Sequence, residues 1–223
     1  MSDIRKNLHA VLDRLPQDVT LVAVSKFHPE EEIMEAYEEG QRVFGESHER
    51  ELSRKHDAMP KDIEWHFIGH LQTNKVRFIV PYISMIEAVD SIRLLREIEK
   101  QAARHDKVVD CLLELHIAEE ATKYGLTLDE CRQLLAANEW RTMSHVRICG
   151  LMMMASFVDS VEQIESEMMT AADFFDEVKQ TYFEHDDSFR IRSWGMSDDY
   201  PIALKCRTTM IRVGTSIFGP RRY

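Results

Sequence analysis

A chain of 223 residues with 44% apolar content and a net charge of −11 can bury a substantial core, and it is too short for two ordinary enzyme domains, so one domain spanning 1–223 is expected. The acidic balance excludes a general nucleic-acid surface, which needs clustered lysine and arginine; Arg221 and Arg222 are too few to supply one. No apolar run of about 18 residues occurs and the amino terminus reads as a polar helix, so no membrane span or signal peptide is expected, and the chain should be soluble and cytoplasmic.

The first element is an amphipathic helix from Asp3 to Leu15, with Ile4, Leu8, Val11, Leu12 and Leu15 on one face, expected to pack as a lid or plug. Next, Leu21 to Val24 form a short apolar run typical of a parallel strand covered on both faces. It leads through Lys26 to Pro29 and three glutamates, a helix start. Strand-like and helical runs then alternate. The eight strand candidates are Leu21–Lys26, Arg42–Gly45, Trp65–Gly69, Ile83–Val89, Val108–Ile117, Val146–Met153, Arg190–Met196 and Met210–Gly214. Helix starts between them include Asp90 or Ser91, and Thr127 with Glu130 three residues on. The longest helix, about Asp159 to Phe183, buries a stripe that includes Val161, Ile164, Met168 and Phe175, its methionines serving as core filler.

Eightfold alternation is the pattern of a closed (β/α)8 TIM-type barrel with an extra amino-terminal helix; a doubly wound open sheet shares the local pattern. No GxGxxG follows the first strand, where Ser25, Lys26, Phe27 and His28 stand, which counts against the dinucleotide-binding form of that open sheet. Lys26 sits at the carboxyl end of a strand, where barrel chemistry happens. Three roles are open to it: a solvated or salt-bridged cation, a phosphate ligand, or an amine that forms a Schiff base.

The turns after strands seven and eight hold Ser193 to Asp199 and Arg212 to Ser216. Glycine lets backbone N–H groups approach an anion, a hydroxyl donates to it, and a helix begun by Ser197 points its positive end into the same space. Equally, Ser197 can be a plain helix cap. A phosphate anchor facing a lysine across a barrel mouth suits a phosphorylated aldehyde, which points to pyridoxal 5′-phosphate (PLP). The polar cluster His66, His70, Gln72, Asn74 and Lys75 either lines the mouth or starts a helix and satisfies its N–H groups; Glu46 is undecided. The four widely spaced cysteines read as reduced core thiols, and the ten histidines show no metal spacing.

The stretches LVAVSKFHPEEEI, EAYEEGQRVFGES, WHFIGHLQTNKV, EAVDS, ICGLMMMA, WGMSDDYPIAL and MIRVGTSIFGPRRY together resemble the pyridoxal phosphate homeostasis proteins. The resemblance implies a barrel like the amino-terminal domain of alanine racemase, acting in PLP homeostasis as a carrier or buffer that affects amino- and keto-acid balance, without turnover of its own. It implies PLP held covalently on Lys26 of the VSK motif, phosphate contacts from Ser197 of GMSDD and from Gly214 and Thr215 of RVGT, Met196 among the cofactor-binding residues, and Arg212 facing the pyridine nitrogen. Partners would be PLP and apo-enzymes that use it, with the chain a monomer or weak dimer. Two departures stand out: Ser47 replaces the family's usual asparagine, and Trp194 replaces a smaller methionine. The alternatives are a PLP-dependent amino-acid racemase and a barrel enzyme acting on a sugar phosphate. Related racemases add a β-rich domain carrying a catalytic tyrosine, whereas Tyr223 follows the eighth strand closely, which favours the carrier.

Overall fold

A computed structural model describes residues 2–117 and 124–220. Arg221, Arg222 and Tyr223 lie outside the described residues. Eight parallel strands close into a barrel in sequence order: β1 (Thr20–Val24), β2 (Val43–Glu46), β3 (Glu64–Phe67), β4 (Met85–Val89), β5 (Val109–Leu115), β6 (Val146–Met153), β7 (Ile191–Ser193) and β8 (Met210–Val213). β8 returns to β1 with Val22 opposite Arg212 and Ala23 opposite Val213, so the sheet is a closed ring and not a doubly wound open sheet. The helices are α1 (Asp3–Leu12), α2 (Glu30–Glu38), α3 (Glu49–Ala58), α4 (Val76–Ile79), α5 (Ile92–Ala103), α6 (Leu128–Ala136), α7 (Val161–Tyr182), α8 (Tyr200–Ala203) and α9 (Thr215–Phe218).

Side chains alternate along each strand between two apolar layers. Phe44, Trp65, Phe67, Leu113 and Ile211 face the helices, while Val22, Met85, Leu112, Met152 and Met210 fill the barrel's interior. Two residues beyond several of these interior positions the filling turns polar, with Glu87, Glu114, Ser193 and Arg212, all buried. A buried polar group is costly unless partnered, so this change of filling marks the end of the barrel where chemistry is placed.

Local signals explain most boundaries. Ser91 caps α5 through the Leu94 N–H at 3.3 Å, Ser160 caps α7 through Gln163, and Thr127 with Glu130 forms a reciprocal capping box on α6. Helix α1 is not a lid or plug. It lies on the flank against α2 and α9, where Asn7 Nδ2 donates to the Ile217 carbonyl at 3.2 Å and Leu8 and Val11 are buried. Helix α9 is a single turn, and α1 covers the side that so short an element leaves open. At Gly150, with φ of +156°, an added Cβ would stand 1.9 Å from the Ile191 carbonyl oxygen, so only glycine lets β6 and β7 pair here.

All four cysteines are buried and free, and burial pushes the Cys131 and Cys149 thiols up to about 12, which suits inert core positions. Among the described residues no group of histidine, cysteine and carboxylate side chains is arranged to hold a metal, and no helix is long and apolar enough to cross a membrane.

Candidate functional site

The turns after β7 and β8 meet through one hydroxyl. Ser197 Oγ accepts the Gly214 N–H at 3.2 Å and the Ser216 N–H at 3.4 Å, and Ser216 Oγ donates to the Ser197 carbonyl. Ser197 therefore neither caps nor begins the helix that follows it; it accepts N–H groups at the start of α9 instead. Helix α8 starts at Tyr200, and Asp199 accepts the Met196 N–H at 2.5 Å in the turn before it. Burial raises the Asp199 carboxyl, an effect the Met196 N–H and Arg212 oppose. Thr215 is exposed at the start of α9, and Gly214 is half-buried. A Cβ on Gly214 would lie 3.0 Å from the Val24 carbonyl oxygen, so this turn is packed against the end of β1 and needs glycine to get there.

Lys26 follows that end. The strand stops at Val24, two residues short of the expected boundary, and Lys26 is half-buried in the turn beyond it. Phe27, next in the chain, has φ of +66°, a left-handed conformation uncommon for a bulky residue. Its N–H donates to Glu51 Oε1 at 2.7 Å.

Below the turns, Arg212 is 4% exposed inside the barrel. Its NH1 donates to the Ser193 carbonyl at 2.8 Å and to Ser193 Oγ, and its NH2 donates to the Met153 carbonyl at 2.8 Å. Ser193 Oγ in turn donates to Glu87 Oε2 at 2.7 Å, and His66 Nδ1 faces Glu87 Oε1 at 2.7 Å. Burial acts to raise the Glu87 carboxyl, but His66, Arg212 and Ser193 outweigh it and hold it below the ordinary carboxylate range. An ionised Glu87 can only accept, which sets the proton of His66 on Nδ1. Glu114 differs: its Oε2 is buried without a hydrogen-bond partner, and burial, with Asp90, raises it to about 7 against the pull of Arg212.

Beside Met196 lies a cavity of about 650 Å³ walled mainly by Met154, Phe157, Val158, Ile164 and Ile202. Its β6 loop is fixed by Glu167, which accepts from both the N–H and Oγ of Ser156 at 2.7 Å.

Comparison with known proteins places this geometry. The family model of the alanine racemase N-terminal domain matches residues 1–222. The pyridoxal phosphate homeostasis protein of Escherichia coli K12 is 33% identical, covering 100% of this chain and 99% of its own. That of Schizosaccharomyces pombe is 33% identical over 99% and 94%. The chain belongs to the pyridoxal phosphate homeostasis protein family. PipY of Synechococcus elongatus superposes with a TM-score of 0.91 at 32% identity without PLP, over 97% of this chain and all of that one. Its structure with PLP bound gives 0.87 at 31%. Alanine racemase of Clostridium difficile, at 14% identity and a TM-score of 0.78, shares the fold over 96% of this chain and 58% of its own.

Of the residues expected from the family motifs, the structure joins Ser197 with Gly214 directly, sets Thr215 beside them, brings the Gly214 turn against the strand that leads to Lys26, and puts Arg212 inside the barrel. Met196 spends its N–H on Asp199. Trp194 has no part in the mouth: it is fully buried in the outer layer with Nε1 donating to the Cys206 carbonyl at 3.0 Å. Ser47 lies on the rim by Gly69, where a Cβ would be 2.8 Å from its carbonyl oxygen. The polar cluster after β3 divides. His66 is interior; His70 meets Asp90 and stacks on Tyr124 at 3.8 Å; Lys75 pairs with Glu49; and Gln72 begins a 3-10 turn over Thr73–Lys75 that leads into α4, capping it with its carbonyl and not with its side chain. Glu46 is buried with Ser25 and Lys55 outside the strand ring. Glu87, Ser193 and Lys55 are partners with no pairing signal along the chain, since each contact joins distant elements; only Glu51 and Lys55, four apart on one helix, carry a local one.

Proposed function

We propose that this protein binds pyridoxal 5′-phosphate and serves in cofactor homeostasis as a carrier or buffer inside the cell, handing the cofactor to apo-enzymes that use it. The convergence of the Gly214 and Ser216 N–H groups with the Ser197 hydroxyl, on a turn packed against the end of the strand that leads to Lys26, is the observation that carries this reading. Backbone donors and a hydroxyl grouped at one point are the chemistry a phosphate requires, and a lysine on the adjoining turn is the chemistry an aldehyde requires, so the residues present fit the group. A structure of the family member PipY with PLP bound supports it.

In this reading Ser197, Gly214, Thr215 and the Met196 turn hold the phosphate, Lys26 holds the aldehyde end, and Arg212 faces the ring nitrogen. When bound, the cofactor supplies a reactive aldehyde conjugated to an electron-accepting ring. Arg212 can only donate and stays cationic, so it favours an unprotonated ring nitrogen and works against the electron-poor ring that carbanion chemistry needs. Glu87 and Ser193 keep the guanidinium in place. These features suit holding the cofactor more than turning over an amino acid.

Absorption spectra of the purified protein with added PLP, before and after borohydride reduction, test the proposal. The expected result is a visible band lost on reduction and a pyridoxyl group mapped to Lys26. A protein that stays colourless with excess PLP, or a label on another lysine with Lys26 free, contradicts it.

A further inference from the structure

Lys55 is a buried ammonium outside the barrel's interior. It is fully buried on α3, and its three ammonium donors are all used: Ser25 carbonyl, Glu46 Oε1 and Glu51 Oε1, each at 2.7 Å. Ser25 Oγ also donates to Glu46 Oε1 at 2.6 Å. Glu51 Oε1 therefore receives two donors, Lys55 and the N–H of Phe27. Residues on either side of Lys26 are thus tied to one buried ammonium, Ser25 directly and Phe27 through Glu51.

We infer that Lys55, through Ser25, Glu46 and Glu51, is the positioning residue that fixes the turn presenting Lys26 to the cofactor. The inference rests on the proposed PLP function. A left-handed φ at Phe27 is strained for a bulky side chain and persists only where the surroundings hold it. That backbone N–H donates to Glu51, whose own position is set by Lys55. Burying an ammonium with two carboxylates is a poor route to stability alone, because desolvation offsets the attraction, so such a cluster needs a reason beyond stability. Glu46 bears the strain of the arrangement: burial raises its carboxyl to about 7 although Lys55 and Ser25 both favour the ionised form, and its Oε2 is buried without a hydrogen-bond partner. Lys55 is 0% exposed and sits behind the strands, so it acts on Lys26 through the chain and not by touching the ligand.

The test compares wild type, Glu51→Ala and Lys55→Met, each as the full chain. Three quantities are read: affinity for PLP by absorbance titration, the absorption maximum of the bound cofactor, and hydrogen exchange at the Phe27 amide before PLP is added. Both variants are expected to exchange faster at Phe27, to lose about tenfold to a hundredfold in PLP affinity and to shift the absorption maximum, because a reacting group held out of place is costly. Ser197→Ala should weaken binding with Phe27 exchange unchanged. If Lys55→Met does not fold, Glu51→Ala decides alone, since there Lys55 keeps Glu46 and the Ser25 carbonyl. Faster exchange at Phe27 with affinity and absorption maximum as in wild type overturns the positioning role, as does unchanged exchange. A wild type that takes up no PLP is a different result and overturns the cofactor function beneath it.

Discussion

The Oγ of Ser197 accepts the backbone N–H of Gly214 at 3.2 Å, joining the turn after β7 to the turn after β8. Each turn alone is an ordinary loop, and their junction gathers donors from both at one place. If phosphate binds there, Ser197→Ala removes one hydrogen bond to a charged group, worth on the order of 1.5 kcal/mol, or about tenfold in Kd for PLP. Titration of the variant beside wild type measures it, and Thr215→Ala, at an exposed position, should lose less.

Arg212 is surrounded by carboxylates, with Glu87 Oε2 at 3.8 Å and Glu114 raised to about 7 nearby. Replacing it by methionine leaves Glu87 buried without its cation, which costs on the order of 3–5 kcal/mol. Urea unfolding near neutral pH should show this loss. Arg212→Lys should recover only part of it, because one ammonium cannot reproduce a planar fork that reaches both the Ser193 and Met153 carbonyls.

Stability should fall as pH rises from about 4.5 to about 7. Glu114 and Glu46 ionise near 4.5 in the unfolded chain and near 7 in the fold, so within that window the folded form keeps protons the unfolded form has released. Their contribution is complete below about 4.5 and is lost as pH passes about 7, at up to roughly 3 kcal/mol per group. Glu114→Gln removes one share. The variant should be more stable than wild type at pH 8, with the advantage vanishing in acid, as read from unfolding midpoints across that range.

Gly150→Ala should be among the most damaging single-methyl changes. Its Cβ would meet the Ile191 carbonyl oxygen at 1.9 Å, and its φ of +156° is closed to alanine without strain. A loss of about 3 kcal/mol or more is expected, with weakened β6–β7 pairing visible by hydrogen exchange.

Much of the barrel was legible because short apolar runs and intervening helix starts repeat eight times, and that repetition survives errors of a few residues at each end. The errors had causes. β1 stops at Val24 because the Phe27 turn needs its own backbone conformation, and β7 is cut to Ile191–Ser193 because Gly195, at φ of +101°, turns the chain away. Ser197 and Gly214 were legible as turn residues, but that one would accept from the other was not, since hydroxyl partners are chosen by tertiary approach. The same holds for the partners of Lys55 and Glu87, which lie on distant elements. Helix α1 looked like a lid because an amphipathic face says that something is covered without saying what.

The staves of this barrel are not equally joined. Strands β5 and β6 match from Val109 opposite Val146 to Leu115 opposite Met153, whereas β7 meets β8 in register only at Ser193 opposite Met210. There side chains reinforce the backbone bonds from the N–H groups of Thr209, Trp194 and Arg212 to the carbonyls of Arg192, Met210 and Gly195: Thr208 Oγ1 lies 2.9 Å from the carbonyls of Arg192, Trp194 and Met210, Arg212 grips Ser193, and Ser197 closes the top. A ligand gripped by the turns on both sides of this seam would act as a clasp, adding a bridge where the two strands share a single register pair.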